Sequence, residues 1–300
     1  MTNDEQTVGR RVLLRTAVFL GIAAASGLLT GGEAGTPVPG SANPPGPAPA
    51  GGPGPVGAAG APGMHPEGPP DKSYRLRPMT AEAPARPPAA KPAVRTRPIL
   101  ELPADAANAD GGGAMVLTFD DGPDPRYTPA ILDTLARYGV RGMFFVCGEM
   151  ATEHRDLLRR MTSEGHVIGN HTWTHPLIPK LGRPALEAEI GRTSEVVQQA
   201  VGEPPLWFRA PYGAWNRAAF EIGADLGMEP LAWTVDTLDW KEPGTTTIVS
   251  RVMAGAGPGV IVLNHDAGGN RSQSVQALST YLPQLLARGY RMTLPALPPR

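Results

Sequence analysis

Two adjacent carboxylates, Asp120 and Asp121, follow the apolar run MVLTF (115–119) and precede Gly122 and Pro123. Neighbouring like charges disfavour joint ionisation, so this pair calls for a positive charge close by. Two imidazoles suggest how one is held: in NHTWTH (170–175), His171 and His175 are four residues apart. On a helical turn that spacing puts both rings on one face. Two neutral imidazoles and one carboxylate form a catalytic zinc set that leaves a position for water. One aspartate would bind the cation and the other stay ionised beside it as a base; adjacency favours Asp121 as ligand and Asp120 as base without deciding between them. Further polar residues stand at similar places. Arg209 ends LWFR (206–209) before APYG, Asp236 follows PLAWTV (230–235) with Asp239 and Trp240 beyond, and His265 and Asp266 follow GVIVLN (259–264). His65, His154 and His166 read as structural or solvated. Cys147, the sole cysteine, lies in MFFVCG and reads as a small buried hydrophobe. It permits neither an intrachain disulfide nor a thiolate cage.

These residues share one placement, the carboxyl end of a short apolar run. MVLTF, GMFFV (142–146), HVIGN (166–170), LWFR, PLAWTV, GVIVLN and YRMTL (290–294) read as strands. Between them, residues 129–138, 154–163, 186–201, 217–226, 246–254 and 272–288 carry helical spacing, and glycines 139, 165, 202 and 227 act as stops. Such alternation predicts parallel strands with crossover helices. The expected fold is α/β, a distorted and incomplete (β/α) barrel of about seven to eight strands. An open doubly wound sheet is the alternative, but DDGPDP after the first strand lacks a dinucleotide fingerprint. In either architecture the strand ends deliver their side chains to one rim, where active sites form.

The chain has 300 residues and a net charge of −1, which gives no basis for a broadly basic nucleic-acid binder. Of its 35 prolines, 19 fall between Gly35 and Asp110, in a stretch poor in aromatic and long aliphatic residues. Residues 35–110 are therefore expected to be a disordered linker, and residues 111–300 the folded domain. Residues 1–34 combine Arg10 and Arg11 with an apolar run of about fifteen residues, short for a membrane span. This pattern predicts a twin-arginine export signal, cleaved near Ala34 or kept as an N-terminal membrane tether. The folded part is then expected outside the cytoplasm, extracellular or wall-associated, as a monomer.

The motifs TFDDGP, HTWTH, RAPYG, DTLDW and LNH, in this order and spacing, closely resemble those of the polysaccharide deacetylases. That family includes peptidoglycan, chitin and Nod-factor deacetylases, and the resemblance spans about residues 114–294. It implies a distorted (β/α) barrel that removes acetyl groups from a glycan polymer with a divalent metal, zinc or cobalt. It implies Asp120 as general base, Asp121, His171 and His175 as metal ligands, and Arg209 as the partner that orients the base. Tyr212 would hold the oxyanion through its backbone N–H. Asp239, with Asp236 as a competing choice, would tune His265, the general acid, and Trp240 and Leu263 would wall the acetyl pocket. The implied substrate is peptidoglycan N-acetylglucosamine or chitooligosaccharide, and the alternative is an O-acetyl esterase with the same metal site. A haloacid-dehalogenase-type phosphatase would need DxD spacing and leaves the histidines unexplained. A non-catalytic glycan binder would have lost a ligand or the base, and all are present.

Overall fold

The seven residues of β1 (Ala114–Asp120) are all buried, so the strand is covered on both faces. Side chains alternate across a strand. Ala114 and Val116 accordingly join an inner cluster with Met143, Phe145, Trp207, Leu231 and Ile261. Met115, Leu117 and Phe119 face an outer layer with Ile131, Leu135, Leu278 and Tyr281. The same parity puts Thr118 and Asp120 on the inner side.

In this computed structural model residues 93–108 and 113–298 are described, and all of them lie in one compact unit, Met79–Arg300. Around β1 the strands are β2 (Met143–Val146), β3 (Val167–Asn170), β4 (Trp207–Phe208), β5 (Glu229–Pro230), β6 (Val235–Asp236), β7 (Ile261–His265) and β8 (Arg291–Met292). Their order is β5-β4-β3-β2-β1-β7-β6, with β8 on β1, and every pairing is parallel. The sheet curls into a half-barrel sheathed by helices, as the alternation predicts. The helices are α1 (Ala104–Asn108), α2 (Thr128–Arg137), α3 (Gly148–Glu153), α4 (Arg155–Ser163), α5 (Arg183–Val201), α6 (Arg217–Asp225), α7 (Thr245–Gly255) and α8 (Ser272–Ala287). The α8 helix shows why they form: Ala277, Leu278, Tyr281, Leu282 and Leu285 are its buried stripe.

Two expectations are corrected. PLAWTV is not one strand. β5 and β6 lie at opposite ends of the sheet, so residues 231–234 cross the opening between them. Pro230 lacks an N–H, which suits it to an edge strand and not to a continuous ladder. The Pro-rich stretch is also not all linker. Ile99 bridges Leu231 and Glu101 bridges Val260, while Leu102 N–H donates to the Gly259 carbonyl at 2.9 Å. Residues 99–102 thus strap the gap between β5 and β7, and Leu102 and Ala107 enter the inner cluster. The export segment 1–34, His65 and the rest of residues 35–92 lie outside the described residues.

Candidate metal centre and active site

Strand register builds the floor of the candidate site. Asp120 of β1 pairs with His265 of β7, and Thr118 pairs with Leu263, so all four share the inner face. Leu263 is buried one layer below His265. Arg209, the residue after β4, is fully buried and reaches into the barrel under Asp120. Its Nη1 donates to Asp120 Oδ1 at 2.7 Å and to Thr118 Oγ1 at 2.8 Å. Its Nε and Nη2 donate to the carbonyls of Leu231 and Ala232 at 3.1 and 2.9 Å. The 231–234 crossing therefore supplies the acceptors that satisfy this guanidinium, which explains how a buried arginine is tolerated. Its plane also lies 4.1 Å from the Phe145 ring. Burial outweighs the arginine and raises the Asp120 pKa above the usual carboxylate value, which makes it a stronger base.

Asp121 leaves the strand in a left-handed conformation, φ +77°. Its Oδ1 lies 3.6 Å from His171 Nε2 and 3.3 Å from His175 Nε2, and the three ligand atoms fall within 4.8 Å of one another. Oδ1 is buried and has no hydrogen-bond partner. His171 Nδ1 donates to the Arg209 carbonyl at 2.8 Å, which leaves its Nε2 lone pair facing Asp121. Burial, with His175 adding to it, holds the His171 pKa down to about 3, the neutral form a ligand needs. An orphaned carboxylate oxygen facing two imidazole nitrogens is a donor set that fits a divalent cation.

The HTWTH segment is not the helical turn its spacing suggests. It is a loop in which Thr172 and His175 have φ of +68° and +58°. Glu189 of α5 holds it: its carboxylate accepts from the N–H groups of Trp173 and Thr174, both at 2.8 Å, and from the Thr174 hydroxyl at 2.9 Å. Arg192, one helical turn on, lies 3.9 Å over the Trp173 ring.

Asp239, not Asp236, meets His265. His265 Nδ1 is 2.6 Å from Asp239 Oδ1. Asp239 Oδ2 accepts from the His265 N–H at 2.9 Å and the Ser274 hydroxyl at 2.6 Å. Burial opposes a charged ring, but Asp239, with Asp121 and Asp120 adding to it, outweighs burial and pushes the His265 pKa up to about 9. Asp236 accepts from the Leu238 N–H at 2.8 Å and serves the turn. At the rim, the Tyr212 ring meets His175 edge-on at 4.5 Å and is 65 % exposed, and its backbone is left-handed at φ +59°. Trp240 is half-exposed beside Asp239, with the Lys241 ammonium over its ring. Cys147 is buried under the His171 backbone, and burial first, then the nearby aspartates, raises its thiol pKa. It is the inert hydrophobe expected. His166 is likewise structural, accepting the Gly142 N–H at 3.0 Å, and His154 sits half-buried between α3 and α4.

Sequence reasoning gave no role to Asp266. It is fully buried beneath the aspartate pair, and its Oδ2 accepts from the Thr128 hydroxyl at 2.5 Å. Burial pushes its pKa up to about 7 against the pull of Thr128, and Asp121 and Asp120 add to the push. Gly122 is required here, since a Cβ would lie 2.2 Å from the Asp266 carboxylate. Trp233 was also missed; it comes within 5.5 Å of the Arg209 guanidinium.

The sequence profile of the polysaccharide deacetylase family matches residues 107–231. A chitooligosaccharide deacetylase of Rhizobium leguminosarum bv. trifolii is 39 % identical over 205 residues, 65 % of this chain and 95 % of that one. The chain belongs to the polysaccharide deacetylase family. Among solved members, the Bc1960 peptidoglycan N-acetylglucosamine deacetylase is 35 % identical with a TM-score of 0.61, covering 65 % of this chain and 89 % of that one. BA3943 of Bacillus anthracis, a CE4 family pseudoenzyme, is 30 % identical with a TM-score of 0.56 over 60 % of this chain and 62 % of that one. Polysaccharide deacetylase membership therefore gives the fold and the reaction class, and the individual residues must carry the case for catalysis.

Proposed function

We propose that the chain hydrolyses N-acetyl groups of an amino-sugar polymer, peptidoglycan N-acetylglucosamine or chitooligosaccharide, and releases acetate. Asp121, His171 and His175 would hold a divalent cation, zinc by donor type with cobalt as the alternative. When bound, it supplies Lewis-acid polarisation of the acetyl carbonyl and acidifies a water. The chain's own residues do the rest. Asp120, with Oδ1 fixed by Arg209, takes the proton of the attacking water at its Oδ2. The Tyr212 N–H donates to the oxyanion as the acyl carbon becomes tetrahedral. As the C–N bond breaks, His265 gives the Nε2 proton to the leaving amine, and Asp239 holds the resulting imidazole in place. Leu263 and Trp240 wall the acetyl methyl.

The observation that carries this reading is the opposite preparation of two neighbours. Asp120 and His265 are partners in register, each held by an opposite charge: Asp120 Oδ1 accepts from Arg209 at 2.7 Å, and His265 Nδ1 lies 2.6 Å from Asp239 Oδ1. Separated acid and base assignments within one pocket are the pattern of general acid–base catalysis. The export-type pattern of residues 9–31 supports action outside the cytoplasm, on a wall or extracellular glycan, with residues 1–34 as signal or tether. The test is mass spectrometry of chitin oligomers, purified muropeptides and acetylated xylan after incubation with zinc-loaded protein. Acetyl loss from N-acetylglucosamine units supports the reading. Loss from xylan alone reassigns the protein as an O-acetyl esterase, and loss from none of them refutes it.

A further inference from the structure

A second cleft, of about 590 Å³, opens where residues 94–98 lie against the start of α6. Its lining includes Arg95, Arg97, Trp215, Asn216, Arg217 and Phe220. Three arginines line it, and one of them has no carboxylate partner among the described residues. Arg95 is committed to the buried Glu229, with Nε 2.5 Å from Oε2. Arg217, its side chain 92 % exposed, reaches Glu221 at 2.7 Å, a carboxylate shared with Arg183 at 2.6 Å, which also pairs with Glu187 at 2.8 Å. Arg97 is exposed and forms no ion pair among the described residues. The first turn of α6 carries no acidic residue, so an arginine there opposes the helix dipole instead of complementing it. A basic residue at that position is unfavourable for the fold by itself.

The cleft also has an aromatic wall. Trp215 stacks on Phe220 at 5.1 Å and meets Phe208 edge-on at 5.5 Å, which fixes its indole. Trp215 follows Tyr212 by three residues, so at most about 11 Å of chain separates the cleft from the rim of the catalytic pocket. A polymer seated at Tyr212 can extend over it.

We propose that this cleft is a subsite for carboxylate-bearing units of an acidic glycan strand, with Arg97 and Arg217 gripping the carboxylates and Trp215 supporting a sugar ring. This rests on the deacetylase reading above and narrows its substrate to a polymer in which acetylated amino sugars neighbour acidic groups. Guanidinium forks suit carboxylates, and charge-assisted hydrogen bonds are the strong ones. A neutral chitin oligomer offers Arg97 and Arg217 no such partner.

The test uses the full chain and the variants Arg97→Glu and Arg217→Glu, with Arg97→Gln removing charge without reversing it. Acetate release is measured on soluble peptidoglycan strands and on chitooligosaccharides of equal length. Arg97→Glu should raise KM for the acidic strand on the order of 10-fold with kcat retained, and leave both constants unchanged on chitooligosaccharide. Arg97→Gln should fall between it and the wild type. Co-sedimentation with insoluble peptidoglycan and with chitin reads binding independently of turnover, and the variants should weaken only the former. Equal effects on both polymers, or none on either, overturn the subsite while leaving the deacetylase reading intact. A wild type inactive on both polymers sinks the deacetylase reading, and the sedimentation result then decides the cleft alone.

Discussion

Asp239→Asn removes the charge that keeps His265 protonated while preserving shape and the acceptor for the His265 N–H and the Ser274 hydroxyl. The native ring titrates at about 9 against burial, with a side chain 12 % exposed. Its ordinary value of about 6.5 lies below this by the equivalent of roughly 3 kcal/mol. Without the carboxylate the pKa should fall to about that ordinary value or lower. At pH 8 an imidazole titrating near 9 is about nine-tenths protonated, and one titrating near 6.5 about one-thirtieth, so turnover should drop roughly 30-fold. At pH 6 the two proteins should differ far less. The assay is the pH dependence of kcat for acetate release, with the alkaline limb expected near pH 9 in the wild type and displaced downward in the variant. The same linkage acts on folding. Because the folded pKa is the higher one, the stabilisation is full below about pH 6.5 and is lost as pH rises through about 9. An alkaline limb that stays near pH 9 in Asp239→Asn would refute Asp239 as the group that sets the acid.

Asp120→Asn and His265→Ala should each lower kcat by roughly 10²-fold or more, with the fold retained by circular dichroism; near-normal turnover in either removes it from the mechanism. Arg209→Met should destabilise the protein by about 3–5 kcal/mol in denaturant titration, because Asp120 stays buried without its partner; a loss under about 1 kcal/mol would show that the pair is dispensable. Glu189→Ala should weaken zinc binding by about 10–100-fold in competition with a chromophoric chelator, since it frees the loop that presents His175. Unchanged affinity would make Glu189 a merely structural contact.

Strand periodicity made the floor of the candidate site legible. The alternation in AMVLTFD puts Thr118 and Asp120 on one face, and IVLNH puts Leu263 and His265 on the same face beside them, so residue types at strand ends were enough to gather Asp120, Asp121 and His265 at one rim. Backbone detail was not legible. His171 and His175 share a site because two left-handed residues bend the loop, and spacing of four had suggested a helical turn. Glu189 acts from fifteen residues away, on a helix whose stripe pattern marks burial and not hydrogen bonding. The strap at residues 99–102 was hidden by proline-rich composition, which averages over the few apolar residues, Ile99 and Leu102, that dock. Asp266 was visible as a polar strand-end residue, but only the packing against Gly122 shows that it is enclosed.

The most direct test of the whole account is acetate release from a chitin oligomer by chelator-stripped protein as zinc is added back, in the wild type and in Asp121→Ala. Wild-type turnover should be lost on stripping and return in full at equimolar zinc, while the variant stays inactive at that concentration. A stripped wild type that deacetylates at its original rate, or a variant restored as readily as the wild type, would contradict the proposal that Asp121, His171 and His175 hold the ion on which the reaction depends.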